Sequence, residues 1–166
     1  MPHPSFSHYD EQGRAHMVDI GDKSVTTRRA VAGGRITLQA ATLETIAQGL
    51  VPKGPPFEIA RIAGIAAAKK TADLIPLCHP LRLTFIDVSI NPGEDGQSIL
   101  VTATASAEEK TGVEMEALVA CTTALLTIYD MLKAVDKTMS ISEVHLIEKS
   151  GGRSNTLPPD LTRKFV

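Results

Sequence analysis

Tryptophan is absent from this 166-residue chain and aromatic residues make up only 4% of it, so the core has to come from Ala, Val, Ile and Leu. Cysteine is nearly absent too. Cys78 and Cys121 stand alone, in no CxxC or CxxH spacing, which excludes a disulfide framework and argues against a zinc site. A reducing, cytoplasmic location is the expectation. Charge of one sign is also lacking: 17 Lys and Arg face 19 Asp and Glu, so no overall field favours nucleic acid or an anionic membrane. Any anion site must be local. The first 13 residues hold no apolar signal-like run, and nothing later is read as the roughly 20 apolar residues of a membrane span.

What is present fits one domain of ordinary size, expected over residues 15–154 between a flexible N-terminal segment, 1–14, and a flexible tail, 155–166. Residues 15–20 and 23–39 are rich in Val, Ile and Thr and read as extended. Thr42 is placed to cap a short helix that runs through Ala47 and ends at Gly49. The Pro52-Lys53-Gly54-Pro55-Pro56 run then breaks regular structure and leaves Lys53 in a loop. Residues 57–74 have helical periodicity, with Ile59, Ile62, Ala63 and Ala66 on one apolar stripe. Prolines at 76 and 80 stiffen the turn that carries Leu77, Cys78 and His79. Two alternating segments, 82–91 and 98–105, flank a turn and predict a hairpin. Gly112 opens a long helix to about Asp136, and residues 140–148 read as a last strand. This order predicts an α+β, ferredoxin-like fold, an antiparallel sheet with helices packed on one face.

The long helix is apolar nearly all round, so its polar exceptions matter. Glu116, Ala120, Thr123, Thr127 and Asp130 fall within about 80° of one another, and Lys133 continues that edge. A solvated stripe with an i,i+3 ion pair explains this pattern, and so does a cavity wall. At a cavity wall, burial and a second cation such as Lys53 would lower the lysine's pKa and fit the Asp–Lys pair for acid–base work. From the residues alone, Lys53 reads first as an ordinary surface lysine in a polar loop. His79 suits a structural role, and Glu114 and Glu116 suit a helix start, where carboxylates complement the dipole. For anions the candidates are Arg28, Arg29, Lys69, Lys70, Lys110 and Lys149, none of them in a Walker spacing.

Five strings, HMVDI at 16–20, KG at 53–54, ARIAGIAAAKKTADLIPLCHPL at 60–81, KTGVEMEALVACTTALLTIYDMLKAV at 110–135 and KSGGRS at 149–154, together resemble the cyclic pyranopterin monophosphate synthase family, protein C of molybdenum cofactor biosynthesis. The resemblance implies a ferredoxin-like subunit in a homohexamer, a trimer of dimers with the site at a subunit interface. It implies no cofactor or catalytic metal, and leaves open a Mg2+ accompanying the substrate. The implied reaction converts 3′,8-cyclo-7,8-dihydroguanosine 5′-triphosphate to cyclic pyranopterin monophosphate and pyrophosphate. By motif, Asp130, Lys133 and Lys53 are similar to the family's catalytic residues. Leu77, Cys78 and His79, with Met115 and Glu116, match substrate-contacting positions, Glu114 sits beside them, and Arg28 resembles an arginine that grips the triphosphate. One departure is the Pro55-Pro56 pair after Lys53-Gly54, where the family is expected to carry an acidic residue.

The helix is apolar on more of its circumference than one thin sheet covers, so Lys53 is expected to reach the polar stripe on a neighbouring copy's helix. Two other classes compete. A nucleotide-sensing module of the same fold would bind without turnover, and an RNA-binding protein would need sheet aromatics, where the hairpin offers only Phe85.

Overall fold

The computed structural model describes residues 8–10 and 12–152, which run β1 (Thr26–Thr37), α1 (Ala40–Ala47), α2 (Pro56–Ala68), α3 (Thr71–Leu74), β2 (Leu83–Pro92), β3 (Ser98–Glu109), α4 (Glu114–Leu132) and β4 (Ser140–Ser150). The strands form one antiparallel sheet in the order β2-β3-β1-β4. That is the expected α+β, ferredoxin-like arrangement of two interleaved split βαβ units. The segments expected to be flexible lie largely outside the described residues, as do Arg153 and Ser154. Near the start of the described residues the Asp10 carboxylate accepts the backbone N–H groups of Gln12 and Arg14 at 2.9 and 2.8 Å.

Alternation in β3 sends Ile99, Val101, Ala103, Ala105 and Ala107 to one face, where they are buried. Ala30, Ala32 and Ile36 of β1 and Val88 and Ile90 of β2 share that face, and α2 and α4 pack over it. Alanine on the sheet lets the helices sit close. α4 buries Ala117, Ala120, Cys121, Ala124, Leu125 and Ile128 in this core. By length and composition α4 could cross a bilayer, contrary to the reading that no run came near that length, but half of it is buried as the core helix of the sheet.

Three details differ from the sequence reading. The region read as one helix over 57–74 is two, because Thr71, buried, donates its hydroxyl to the Ala68 carbonyl at 2.9 Å and starts a new turn there. The face of α2 that packs inward is Pro56, Ala60, Gly64 and Ala68, and the stripe that includes Ile59 and Ile62 faces out. Small residues are on the inner face because α2 nearly touches α4: a β-carbon on Gly64 would lie 2.8 Å from the Ala120 carbonyl oxygen. Third, Thr42 does not cap α1. Gln39 stands at the N-cap without a side-chain capping bond, and the brace comes from Asp136, whose carboxylate accepts the Gln39 N–H at 2.8 Å and the Thr42 hydroxyl at 3.1 Å. Pro55 and Pro56 also find a purpose, since Pro56 is the first residue of α2, where a missing N–H goes unmissed.

Gly64→Ala should therefore destabilise the protein by about 1–3 kcal/mol despite alanine's better helix propensity, because the methyl group meets backbone that cannot yield. Urea unfolding at fixed protein concentration measures this, and an unchanged midpoint would mean that α2 and α4 are not in close contact at this point.

Candidate active site

The residues singled out in the sequence gather in two places, one at each end of α4. At its C-terminal end the Asp130 carboxylate holds two ammonium groups, Lys133 Nζ at 2.7 Å from Oδ1 and Lys53 Nζ at 2.7 Å from Oδ2. Lys53 also donates to the Asp130 backbone carbonyl at 3.0 Å. The spacing of Asp130 and Lys133 on the last helical turn makes one contact, and the loop between α1 and α2 delivers the other. All three side chains are about half exposed. The hydrogen bond from Lys133, then that from Lys53, hold the Asp130 carboxyl down at about 2, so it is charged at neutral pH. Lys133 moves the other way from the sequence expectation: its hydrogen bond to Asp130 and the attraction of that charge raise its pKa and outweigh a smaller lowering by desolvation. Lys53 is bonded to Asp130 of its own chain, which corrects the expectation that it reaches a neighbour's helix.

At the N-terminal end of α4 lies a cavity of about 440 Å³ lined by Leu77, Cys78, His79, Glu114, Met115 and Glu116, together with His8, Val18, Ile20 and Lys23. The proline-stiffened turn supplies the first three, and the first turn of α4 supplies the next three. Glu116 is 4% exposed, and burial raises its pKa, with the neighbouring Glu114 charge adding to the rise. Burial also raises the Cys78 thiol, with a smaller push from Glu116. The predicted polar stripe is not one wall: Glu116 and Ala120 are buried, Thr123 and Thr127 half-buried, and Asp130 exposed.

A second cavity, about 740 Å³, shares Lys23, Thr111, Gly112 and Glu114 with the first and adds Arg28, Lys110 and Lys149, with Asp19 and Asp22 at its edge as counter-charges. Lys149 pairs with Glu114, and Lys110 donates to the Gly21 carbonyl at 2.5 Å. Strand alternation separates the two arginines. Arg28, on the helix-covered face, lines the cavity and donates to the carbonyls of Glu109 and Lys110 at 3.2 and 3.3 Å, whereas Arg29 pairs with Glu148 at 3.3 Å on the open face. Gly151 and Gly152 close the floor at φ of 91° and 82°, and a β-carbon on either would overlap the Thr27 carbonyl or the Arg28 guanidinium. Lys69 and Lys70 sit exposed at the break after α2, away from both cavities. Among the described residues no group of three or more His, Cys, Asp or Glu could hold a metal.

Sequence reasoning missed Lys23, His8, Val18 and Ile20. Residues 15–24 carry no local chemistry, and only their wrap over the start of α4 brings them to the cavities.

The chain thus sets a cavity with four cationic side chains beside a pocket with a buried carboxylate, on a ferredoxin-like domain that also carries a Lys–Asp–Lys cluster. A family model described as MoaC family matches residues 17–152, and the chain belongs to that family. It is similar to proteins named cyclic pyranopterin monophosphate synthase: that of Chloroflexus aggregans at 55% identity, covering 89% of this chain and 90% of the relative, and that of Pelotomaculum thermopropionicum at 53%, covering 89% and 87%. The same named enzyme of Thermomicrobium roseum is 51% identical over 90% of each chain.

Because Arg28 and not Arg29 faces the cavity, Arg28→Ala should weaken binding of inorganic triphosphate by about tenfold to a hundredfold, the worth of one charged hydrogen-bonding group. Arg29→Ala should change it by less than about twofold. Calorimetric titration measures both, and equal losses would mean the wrong arginine has been assigned.

Proposed function

We infer that this chain is a cyclic pyranopterin monophosphate synthase of molybdenum cofactor biosynthesis, acting in the cytosol on 3′,8-cyclo-7,8-dihydroguanosine 5′-triphosphate. The observation that carries the reading is the pairing of a buried-carboxylate pocket with an adjoining cation-lined cavity. The purine-derived ring fits the first, where Glu116 offers two acceptor oxygens to the adjacent N–H donors of a guanine edge. The triphosphate fits the second, against Lys23, Arg28, Lys110 and Lys149.

The cluster of Asp130, Lys133 and Lys53 then performs the proton transfers, but it cannot do so within its own chain. At roughly 1.5 Å of rise per residue, Glu116 and Asp130 stand about 21 Å apart along α4. A ring held at one end of the helix is out of reach of lysines at the other. The cluster therefore serves the cavities of a neighbouring copy, in a homohexamer built as a trimer of dimers. The outward stripe of α2, with Ile59 and Ile62 at 39% and 60% exposure, and Leu126 of α4 at 56%, supplies apolar surface for such contact.

Burial in that interface reverses the electrostatics of the open cluster. Desolvation lowers a lysine's pKa, so one ammonium becomes ready to give up its proton while Asp130 orients it and accepts protons in turn. Lysine and aspartate protons open the dihydropurine ring and allow it to close again as the pyranopterin. A sugar hydroxyl then bonds to the α-phosphorus as the bond to pyrophosphate breaks. The cations keep the departing charge neutralised. No cofactor takes part in this scheme, and a Mg2+ on the triphosphate is compatible with it.

Purified protein given the cyclised nucleotide should release pyrophosphate and form the cyclic monophosphate, and Asp130→Asn should lower turnover by about a hundredfold to ten-thousandfold with the fold intact. Binding without pyrophosphate release would make the chain a nucleotide sensor, and turnover within about tenfold of the parent in Asp130→Asn would remove the acid–base role.

A further inference from the structure

Asp136 lies beyond both ends of the proposed chemistry, yet it joins the two parts of the fold that bring Lys53 to Asp130. It is 1% exposed and accepts five hydrogen bonds. Oδ2 takes the Gln39 N–H and the Thr42 hydroxyl; Oδ1 takes the Thr138 N–H and hydroxyl at 2.8 and 2.7 Å, with the Gln39 amide at 3.4 Å. Gln39 and Thr42 belong to the start of α1, and Asp136 belongs to the turn that ends α4.

Each of these parts is braced internally. On one side the turn after α1 is tied back to it, Gly49 N–H to Ile46 and Leu50 N–H to Thr45, both at 3.0 Å. Val51 is buried and Gly54 N–H bonds to its carbonyl at 3.0 Å, so the Lys53 turn follows directly on the turn that ends α1 and is anchored in the core. On the other side the N–H groups of Lys133, Val135 and Asp136 bond to Tyr129 and Leu132 at 2.8–2.9 Å, which makes Asp136 an extension of the turn that bears Asp130 and Lys133. α1 packs on the core through Leu43 and Ile46 but makes no extensive contact with any one other helix or strand. The polar links between the two units are the Asp136 and Thr138 bonds and the Lys53–Asp130 pair itself. That last pair is exposed, and an exposed lysine with a free choice of rotamers holds its geometry weakly.

We propose that Asp136 is the positioning residue of the Lys53–Asp130–Lys133 cluster, its carboxylate clasping α1 to the end of α4 so that Lys53 is held against Asp130. This rests on the reading that the cluster does the acid–base work. A carboxylate is needed because backbone N–H groups, which cannot reverse, approach both oxygens. An asparagine would set its own N–H against one of them and release one side of the clasp. Backbone N–H and hydroxyl donors offset the cost of burying the charge, which by itself would raise the carboxyl, and hold it at about 2.

The test compares variants of the full chain in its assembled form, checked by near-UV circular dichroism and native mass. Asp136→Asn should lower kcat by about tenfold to a hundredfold, the effect of misplacing a reacting group by about an ångström, with KM within about threefold because the residues that line the substrate cavities are themselves unchanged. Ile99→Val, which thins the core and removes none of the Asp136 bonds, should leave kcat within about twofold at comparable loss of stability. Should Asp136→Asn fail to fold, Thr42 decides: Thr42→Val should lower kcat by about threefold or more, and Thr42→Ser, which keeps the hydroxyl donor, should restore it. Assembled Asp136→Asn with parental kcat, or Thr42→Val indistinguishable from Thr42→Ser, would overturn the proposal. Parental turnover in Lys53→Ala would instead overturn the reading of the cluster on which it rests.

Discussion

One helix sets the terms for everything else in this molecule, because α4 carries chemical groups at both ends and a helix cannot fold back on itself. Its first turn supplies Glu114, Met115 and Glu116 to the cavities, and its last turn presents Asp130 and leads into Lys133. The axis between them is rigid and longer than any contact a side chain can make. The length that makes α4 a good core helix therefore keeps its two groups of polar residues apart. Its seat is fixed by small residues: Gly64 lies against the Ala120 backbone, and the alanines of β1 and β3 form the floor. With so little side-chain volume between the layers, neither end of α4 has room to shift toward the other.

The same constraint explains why the surroundings of the two ends differ. Where α4 begins, residues 15–24, the proline-stiffened turn and the end of β4 all converge, and a buried carboxylate and four cations line what they enclose. Where it ends, the cluster is open and strongly paired, with Asp130 held at about 2 and Lys133 raised. Such a cluster is a poor proton donor in water. In the proposed assembly a neighbouring surface would exclude that water, which would make assembly and catalysis two aspects of one burial event.

Much of this was legible in the residues. The hairpin, the long helix and the last strand show their periods plainly, and the sheet order follows from them. The spacing of Asp130 and Lys133 made their contact readable from one helical turn. The face of α2 was not, because apolar periodicity points to Ile59 and Ile62 while close packing is made by glycine and alanine, which carry little hydrophobic signal. The cap of α1 was equally hidden, since Thr42 looks like a local cap and its actual partner is 94 residues away. Lys53 meeting Asp130 within its own chain, and Lys23 joining the cavities, are long-range facts of the same sort. The resemblance to a family identified the chemistry that spacing alone left open.

The account stands on the division of one site between two chains, and mixed assemblies test that most directly. Asp130→Asn and Glu116→Ala chains, at substrate levels where each is silent alone, should recover activity when unfolded and refolded together, since roughly a quarter of randomly formed sites then join an intact N-terminal end of α4 to an intact C-terminal end. Lys53→Ala mixed with Asp130→Asn should stay silent, because those two residues share a chain and every mixed site lacks one of them. No recovery from the first pair, with mixed oligomers verified by mass, or equal recovery from both pairs, would contradict the account.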